Sequence, residues 1–116
     1  MFYMVKIDEV KFGEITIDGK TYYSDVAVWW GGKVALAAKS HEFDLARLDS
    51  LLRNKPEVII VGTGMQGIVK VLPEIRQICA DGNIKLYSDP TPKAVDFFNG
   101  LILQGKKVAA FFHVTC

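Results

Sequence analysis

Residues Val58 to Ile75 read VIIVGTGMQGIVKVLPEI: four apolar residues, then Gly62, Gly64 and Gly67 in the spacing G-x-G-x-x-G. Behind a short apolar strand this spacing suggests a dinucleotide-binding loop. In such a loop the glycines let the backbone approach a pyrophosphate, and the following helix turns its N-terminal N–H groups and dipole toward the anion. Asp89 lies about 20 positions beyond Gly67, the distance expected of a ribose-binding acid. Pro73 decides against this reading. Proline is tolerated in the first turn of a helix, but further in it removes a hydrogen bond and clashes with the preceding turn, at a cost of about 3 kcal/mol. A helix opening at Gly67 would hold Pro73 in its second turn, so the spacing predicts a helix that begins near Leu72 and leaves Ile68 to Val71 extended. The dipole then misses the glycines, and no nucleotide cofactor is expected. What is left for Gly62 to Gly67 is an irregular turn at the carboxyl end of a strand. There the N–H groups of Gly62, Thr63 and Gly64 form a nest for an anion or a carbonyl, where open α/β sheets bind ligands.

Outward from this loop the pattern alternates. Leu45, Leu48, Leu51 and Leu52 follow helical spacing behind Asp44, a good N-cap, and Pro56 stops the helix near Asn54 by disfavouring helical backbone at Lys55. Gly82 is expected to cap the helix from Pro73, and Ile84 to Tyr87 to form a strand. Thr91 and Pro92 are read as the N-cap and first turn of a third helix, with Ala94, Val95, Phe98, Leu101 and Ile102 on one face. VAAFFHVT then closes the chain as a strand. Strand, helix, strand, helix, strand predicts an α/β fold of three layers, a central mixed sheet with flanking helices and N-terminal β-hairpins, its first strand pair parallel through a right-handed crossover.

The first forty residues read as those hairpins. Asp18-Gly19 supplies the positive φ angles of a two-residue type I′ turn, setting Ile17 opposite Lys20 and Ile15 opposite Tyr22. Gly31-Gly32 reads as a second two-residue turn, with Trp29 opposite Val34, Ala27 opposite Leu36, and Trp30, Val28 and Val26 on the other face. This second ribbon is apolar on both faces and needs cover on both. Of Trp29 and Trp30, one is expected in the core and the other at an interface with a homodimer mate or another protein.

At 116 residues the chain is read as one domain, 1–116, long enough to bury a core. A formal charge of +1 with scattered basic residues excludes a nucleic-acid surface, which needs clustered cations. Apolar runs fall short of the ~20 residues of a membrane span. MFYMVKIDEV lacks the basic and apolar regions of a secretory signal, so a cytoplasmic location with reduced Cys79 and Cys116 is expected.

The chemistry-bearing residues are few. His113 and Cys116 stand in the terminal HVTC, but on a continuing strand His113 shares its face with Thr115 while Cys116 points away, so their pairing requires the end to curl. His41 has no ligand partner at helical or hairpin spacing. No metal site and no catalytic residue are therefore assigned, and His113 is expected as a hydrogen-bonded histidine closing the sheet. Asp25 and Asp89 read as turn or capping acids, and Cys79 as a core residue on its helix face.

FGEITIDGKTYYSDV, PEVIIVGTGMQG and the terminal VAAFFHVTC, in this order, resemble a family of small proteins long classed as a domain of unknown function. The family includes archaeal and bacterial stand-alone forms, the animal adipogenesis-associated protein of this domain type and a mitochondrial assembly factor for respiratory complex I. The resemblance implies a three-layer fold in which the last strand is antiparallel to its neighbours, and roles in assembly and regulation through protein contacts rather than catalysis. By motif, Gly62, Thr63, Gly64, Gly67, Thr91, Asn99 and His113 stand where the family's characteristic residues stand. The mitochondrial member has a targeting extension absent here, so the likeness is to a stand-alone microbial form. Two functional readings result: a non-enzymatic protein-binding or assembly module using the second hairpin, and a small-molecule or anion site, with enzymatic potential, where the glycine loop, Thr91 and His113 would meet.

Overall fold

The computed structural model describes residues 3–116. Its order is β1 (Ile7–Lys11), β2 (Glu14–Ile17), β3 (Lys20–Tyr22), β4 (Asp25–Trp29), β5 (Val34–Ala37), β6 (Glu42–Phe43), α1 (Leu45–Leu52), β7 (Val58–Gly62), β8 (Lys70–Val71), α2 (Pro73–Asp81), β9 (Lys85–Asp89), α3 (Thr91–Leu103) and β10 (Val108–Phe112). A five-stranded mixed sheet, ordered β5-β4-β10-β7-β9, lies at the centre; β1, β2 and β3 form an antiparallel sheet, and β6 pairs with β8.

The central strand is β10, and all five of its residues are buried. Because side chains alternate along a strand, Val108, Ala110 and Phe112 meet one layer and Ala109 and Phe111 the other. On the first face they pack with Ile60 of β7, Ala94, Phe98 and Ile102 of α3, and Ile7, Ile15 and Ile17 of the small sheet. On the second they pack with Trp29, Ile59, Leu48 and Leu51 of α1, and Ile75 and Cys79 of α2. The apolar spacings of the three helices thus find their partners on opposite sides of one sheet.

Most expected boundaries stand. Asp44 caps α1 by accepting the Arg47 N–H at 3.1 Å, and α2 opens at Pro73 with Leu72 before it. Ile17 pairs with Lys20 and Ile15 with Tyr22 across Asp18-Gly19, whose φ angles are 49° and 81°. Three expectations are corrected. In the second hairpin Val34 pairs with Val28, Ala35 with Ala27 and Leu36 with Val26, one residue away from the expected register. The cause is a three-residue loop, Trp30-Gly31-Gly32, closed by Trp29 N–H to the Lys33 carbonyl at 3.0 Å with Gly32 at φ 95°, the left-handed residue such loops require. Trp30 therefore leaves the strand and touches both core layers at its end.

The last strand is parallel to β7 and antiparallel only to β4, because α3 carries the chain back across the sheet before β10 begins. Gly82 is the C-cap of α2, as expected, at φ −86°, and Asn83 after it takes the left-handed position at φ 57°. Finally, α3 has Pro90 as its N-cap residue with no side-chain cap, and Thr91 is already helical. Its hydroxyl is engaged elsewhere, as described below.

Asn99, on α3, clamps β1 to the helix: its side-chain oxygen accepts the Ile7 N–H at 3.0 Å and its amide donates to the Ile7 carbonyl at 2.9 Å. Replacing it leaves two main-chain groups of a buried residue without partners. Asn99→Ala is expected to lower unfolding free energy by about 1–3 kcal/mol, measured by urea denaturation; a change within error would show that the clamp contributes nothing.

Candidate functional site

Gly62, Thr63, Gly64, Gly67, Thr91 and His113 gather at one end of the central sheet. Asn99 does not join them; it lies about 12 Å further along α3. The loop leaves β7 at Gly62, whose carbonyl accepts the His113 N–H at 3.0 Å. Thr63 N–H donates to the Asp89 carbonyl at 2.9 Å, Met65 N–H to the Thr115 carbonyl at 2.7 Å, Gln66 N–H to the main-chain oxygen of Cys116 at 3.1 Å and Gly67 N–H to the Gly64 carbonyl at 3.2 Å. Gly64 N–H donates to the Thr91 hydroxyl at 2.9 Å. The Thr63 and Gly64 N–H groups thus go to two separate partners, the Asp89 carbonyl and the Thr91 hydroxyl, and do not converge on one acceptor as the expected nest would. Thr115 and Cys116 are held by the next N–H groups of the loop, those of Met65 and Gln66.

Thr91 is completely buried. Its hydroxyl accepts from Gly64 and donates to the His113 carbonyl at 2.6 Å, joining the glycine loop, the start of α3 and the end of β10 through one oxygen. Gly64 sits where these segments cross: its φ is 110°, and an added Cβ would collide with the Cys116 main chain and press on the His113 ring.

The sequence reading missed the partner of His113. Asp25 is 4% exposed and His113 fully buried; Asp25 Oδ2 lies 2.7 Å from His113 Nδ1, and Oδ1 accepts the Val114 N–H at 2.9 Å. A buried carboxylate is costly without such partners, and here both oxygens have one. Asp25 is therefore not a turn acid. It begins β4 beside the end of β10, a neighbourhood set by sheet order and invisible to local spacing.

Beyond Phe112 the chain leaves the strand and curls, contrary to the straight continuation expected. Nε2 of His113 lies 3.2 Å from the Thr115 hydroxyl. The exposed His41 sets its ring edge-on to His113, centroids 5.7 Å apart at 87°. The nearest ligand atoms of His41, His113 and Cys116 lie within 4.8 Å of one another. His41 reaches the site from the far side of the second hairpin, held by Lys70 N–H donating to its carbonyl at 2.9 Å. Cys79 is buried in the core, as expected, and burial pushes its thiol pKa up.

Of the two tryptophans, Trp29 is the one that lies in the core: it is 4% exposed and its indole N–H donates to the Leu51 carbonyl at 3.1 Å. Trp30 is half-buried beside a surface hollow it shares with Tyr3, Met4, Ile102 and Leu103. The exposed apolar groups on the hairpin side are Leu36, 70% exposed, and Tyr23, 75% exposed.

A model of one protein family, described as protein of unknown function (DUF498/DUF598), matches residues 7–113. The chain belongs to this DUF498/DUF598 family. Among solved structures, the conserved hypothetical protein PH1505 from Pyrococcus horikoshii OT3 is 31% identical with TM-score 0.86, the likeness covering 96% of this chain and 99% of that one. A protein called MT938 is 29% identical with TM-score 0.82, covering 97% and 99%. A Mth938-like domain from Bordetella pertussis is 17% identical with TM-score 0.72, covering 94% and 85%, and shows the fold alone. The DUF498/DUF598 match starts with β1 and stops at His113, so it spans the glycine loop, Thr91 and the Asp25–His113 pair.

Two substitutions test the crossing. Thr91→Val keeps the volume but strands the Gly64 N–H and the His113 carbonyl, and is expected to cost about 1–3 kcal/mol in urea denaturation. Gly64→Ala is expected to destabilise more than Gly67→Ala, because a Cβ at Gly67 meets nothing nearer than 3.5 Å. Equal costs would mean that the chain end does not press on Gly64.

Proposed function

We propose that this protein is a cytosolic, non-enzymatic binding module that receives an extended segment of another polypeptide along the open side of β5. The observation that carries the reading is the contrast between the two edges of the central sheet. The far edge, β9, bears Lys85 and Asp89, charges of the kind that blunt an edge against pairing. The near edge, β5, reads Val-Ala-Leu-Ala with no charge, and no described strand pairs with its outer side. Trp29 N–H bonds to Lys33, so by alternation Ala35 and Ala37 turn their main-chain groups to β4, while Val34 and Leu36 turn theirs outward. Free donors and acceptors beside an exposed Leu36 are what strand addition uses.

The surroundings indicate the occupant. Lys33 and Lys39 flank β5, and Lys20 joins Tyr22, Tyr23, Val34 and Leu36 in the adjoining groove. A segment alternating apolar and acidic residues complements that arrangement. A second copy of this chain does not: in the two-fold register that sets Leu36 on its own copy, each Lys33 faces a Lys39, and like charges directly opposite are destabilising. The anion-site reading is weaker, since the Thr63 and Gly64 N–H groups it relies on already bind the Asp89 carbonyl and the Thr91 hydroxyl.

The test is fluorescence anisotropy with labelled peptides of alternating Val and Glu or alternating Val and Lys, alongside light scattering of the protein alone. Binding of the acidic peptide, weakened about tenfold or more by Leu36→Lys with the melting temperature unchanged, is expected. Preference for the basic peptide, insensitivity to Leu36→Lys, or a dimer that Leu36→Lys dissociates would each overturn the assignment.

A further inference from the structure

We infer that His41, His113 and Cys116 are three protein ligands of a zinc-type metal site, with Asp25 as the carboxylate that orients His113. This goes beyond the docking edge and is independent of it. Two imidazoles and a thiolate suit a borderline-soft divalent cation. The ligand atoms, within 4.8 Å of one another, need to close to the roughly 3.3–3.8 Å that tetrahedral bonds of about 2.0–2.3 Å imply. Rotation of the exposed His41 and the half-buried Cys116 side chains supplies that movement without disturbing the core.

A second observation points the same way. Both oxygens of Asp25 act as acceptors, one for the Val114 N–H and one toward His113 Nδ1. That places a proton on Nδ1, so the neutral ring carries its lone pair on Nε2, the tautomer in which a metal-binding histidine is held when a carboxylate backs it. Nε2 faces the chain end, where its present partner is the Thr115 hydroxyl at 3.2 Å, a long contact that a metal would replace. The thiol is positioned from behind: the main-chain oxygen of Cys116 is held by the N–H groups of Gln66 at 3.1 Å and Ile68 at 3.5 Å. The glycine loop thereby acts as the clamp that brings Cys116 under the histidines. On binding, the thiol releases its proton to solvent and the thiolate enters the coordination sphere. Three protein ligands leave the fourth tetrahedral position, on the exposed His41 side, for water or another donor.

The test uses Co2+ and Zn2+ on the metal-free protein, followed by absorption spectroscopy and calorimetry. One equivalent of Co2+ is expected to give tetrahedral d–d bands and a thiolate charge-transfer band, both abolished by Zn2+. Cys116→Ser is expected to remove the charge-transfer band, Cys79→Ser to leave it intact, and His41→Ala to weaken Zn2+ binding about tenfold or more. Because Cys79 lies in the core, the folding of its variant is checked by its melting temperature. Asp25→Asn, which retains the side-chain volume, is expected to weaken Zn2+ about 10–100-fold. Absence of the charge-transfer band in the parent protein, its persistence in Cys116→Ser, or Zn2+ affinity unchanged in His41→Ala would overturn the site.

Discussion

The buried hydroxyl of Thr91 is the point on which the functional end of the molecule depends. It accepts from the Gly64 N–H and donates to the His113 carbonyl, so one oxygen fixes the end of β7, the first turn of α3 and the exit of β10 together. It works beside direct main-chain bonds that also tie the glycine loop to the end of the chain, such as His113 N–H to the Gly62 carbonyl. With it, Met65 and Gln66 present their N–H groups to Thr115 and Cys116, and His113 is held where Asp25 reaches it. A loop rich in left-handed backbone is usually permissive; here its conformation is set by what it holds.

That arrangement separates two kinds of surface. At the strand ends the polar groups are satisfied internally, and among the described residues no buried side-chain nitrogen or oxygen lacks a partner. At the sheet edge β5 turns main-chain groups outward beside an exposed Leu36, and no described strand pairs with that side. The difference follows from topology. β10 and β7 are central and their ends crowd together, whereas β5 enters from a hairpin and ends the sheet.

The fold is legible in the sequence to the extent that its determinants are local. Pro73 places the start of α2, Asp18-Gly19 sets the first hairpin's register, and Asp44 marks α1. The second hairpin misleads because Gly31-Gly32 resembles a two-residue turn, while the observed loop also takes in Trp30. Thr91 misleads as a cap because cap propensity says nothing about a carbonyl arriving from the last strand. In the site, the glycine loop, Thr91 and His113 are found by motif, whereas Asp25 and His41 are not. Asp25 meets His113 only through the pairing of β4 with β10, and His41 only where the β6–β8 pair brings its segment back over the chain end. Such contacts between distant parts of the chain leave no spacing to read.

The central claim is that the glycine loop binds the chain's own end instead of presenting free N–H groups to a ligand. Amide hydrogen exchange of Met65 and Gln66 by nuclear magnetic resonance tests it most directly. Both amides should exchange far more slowly than in an unstructured peptide, with protection lost together when Thr115 and Cys116 are removed. Exchange of both at the rate of an open loop in the intact folded protein would contradict it.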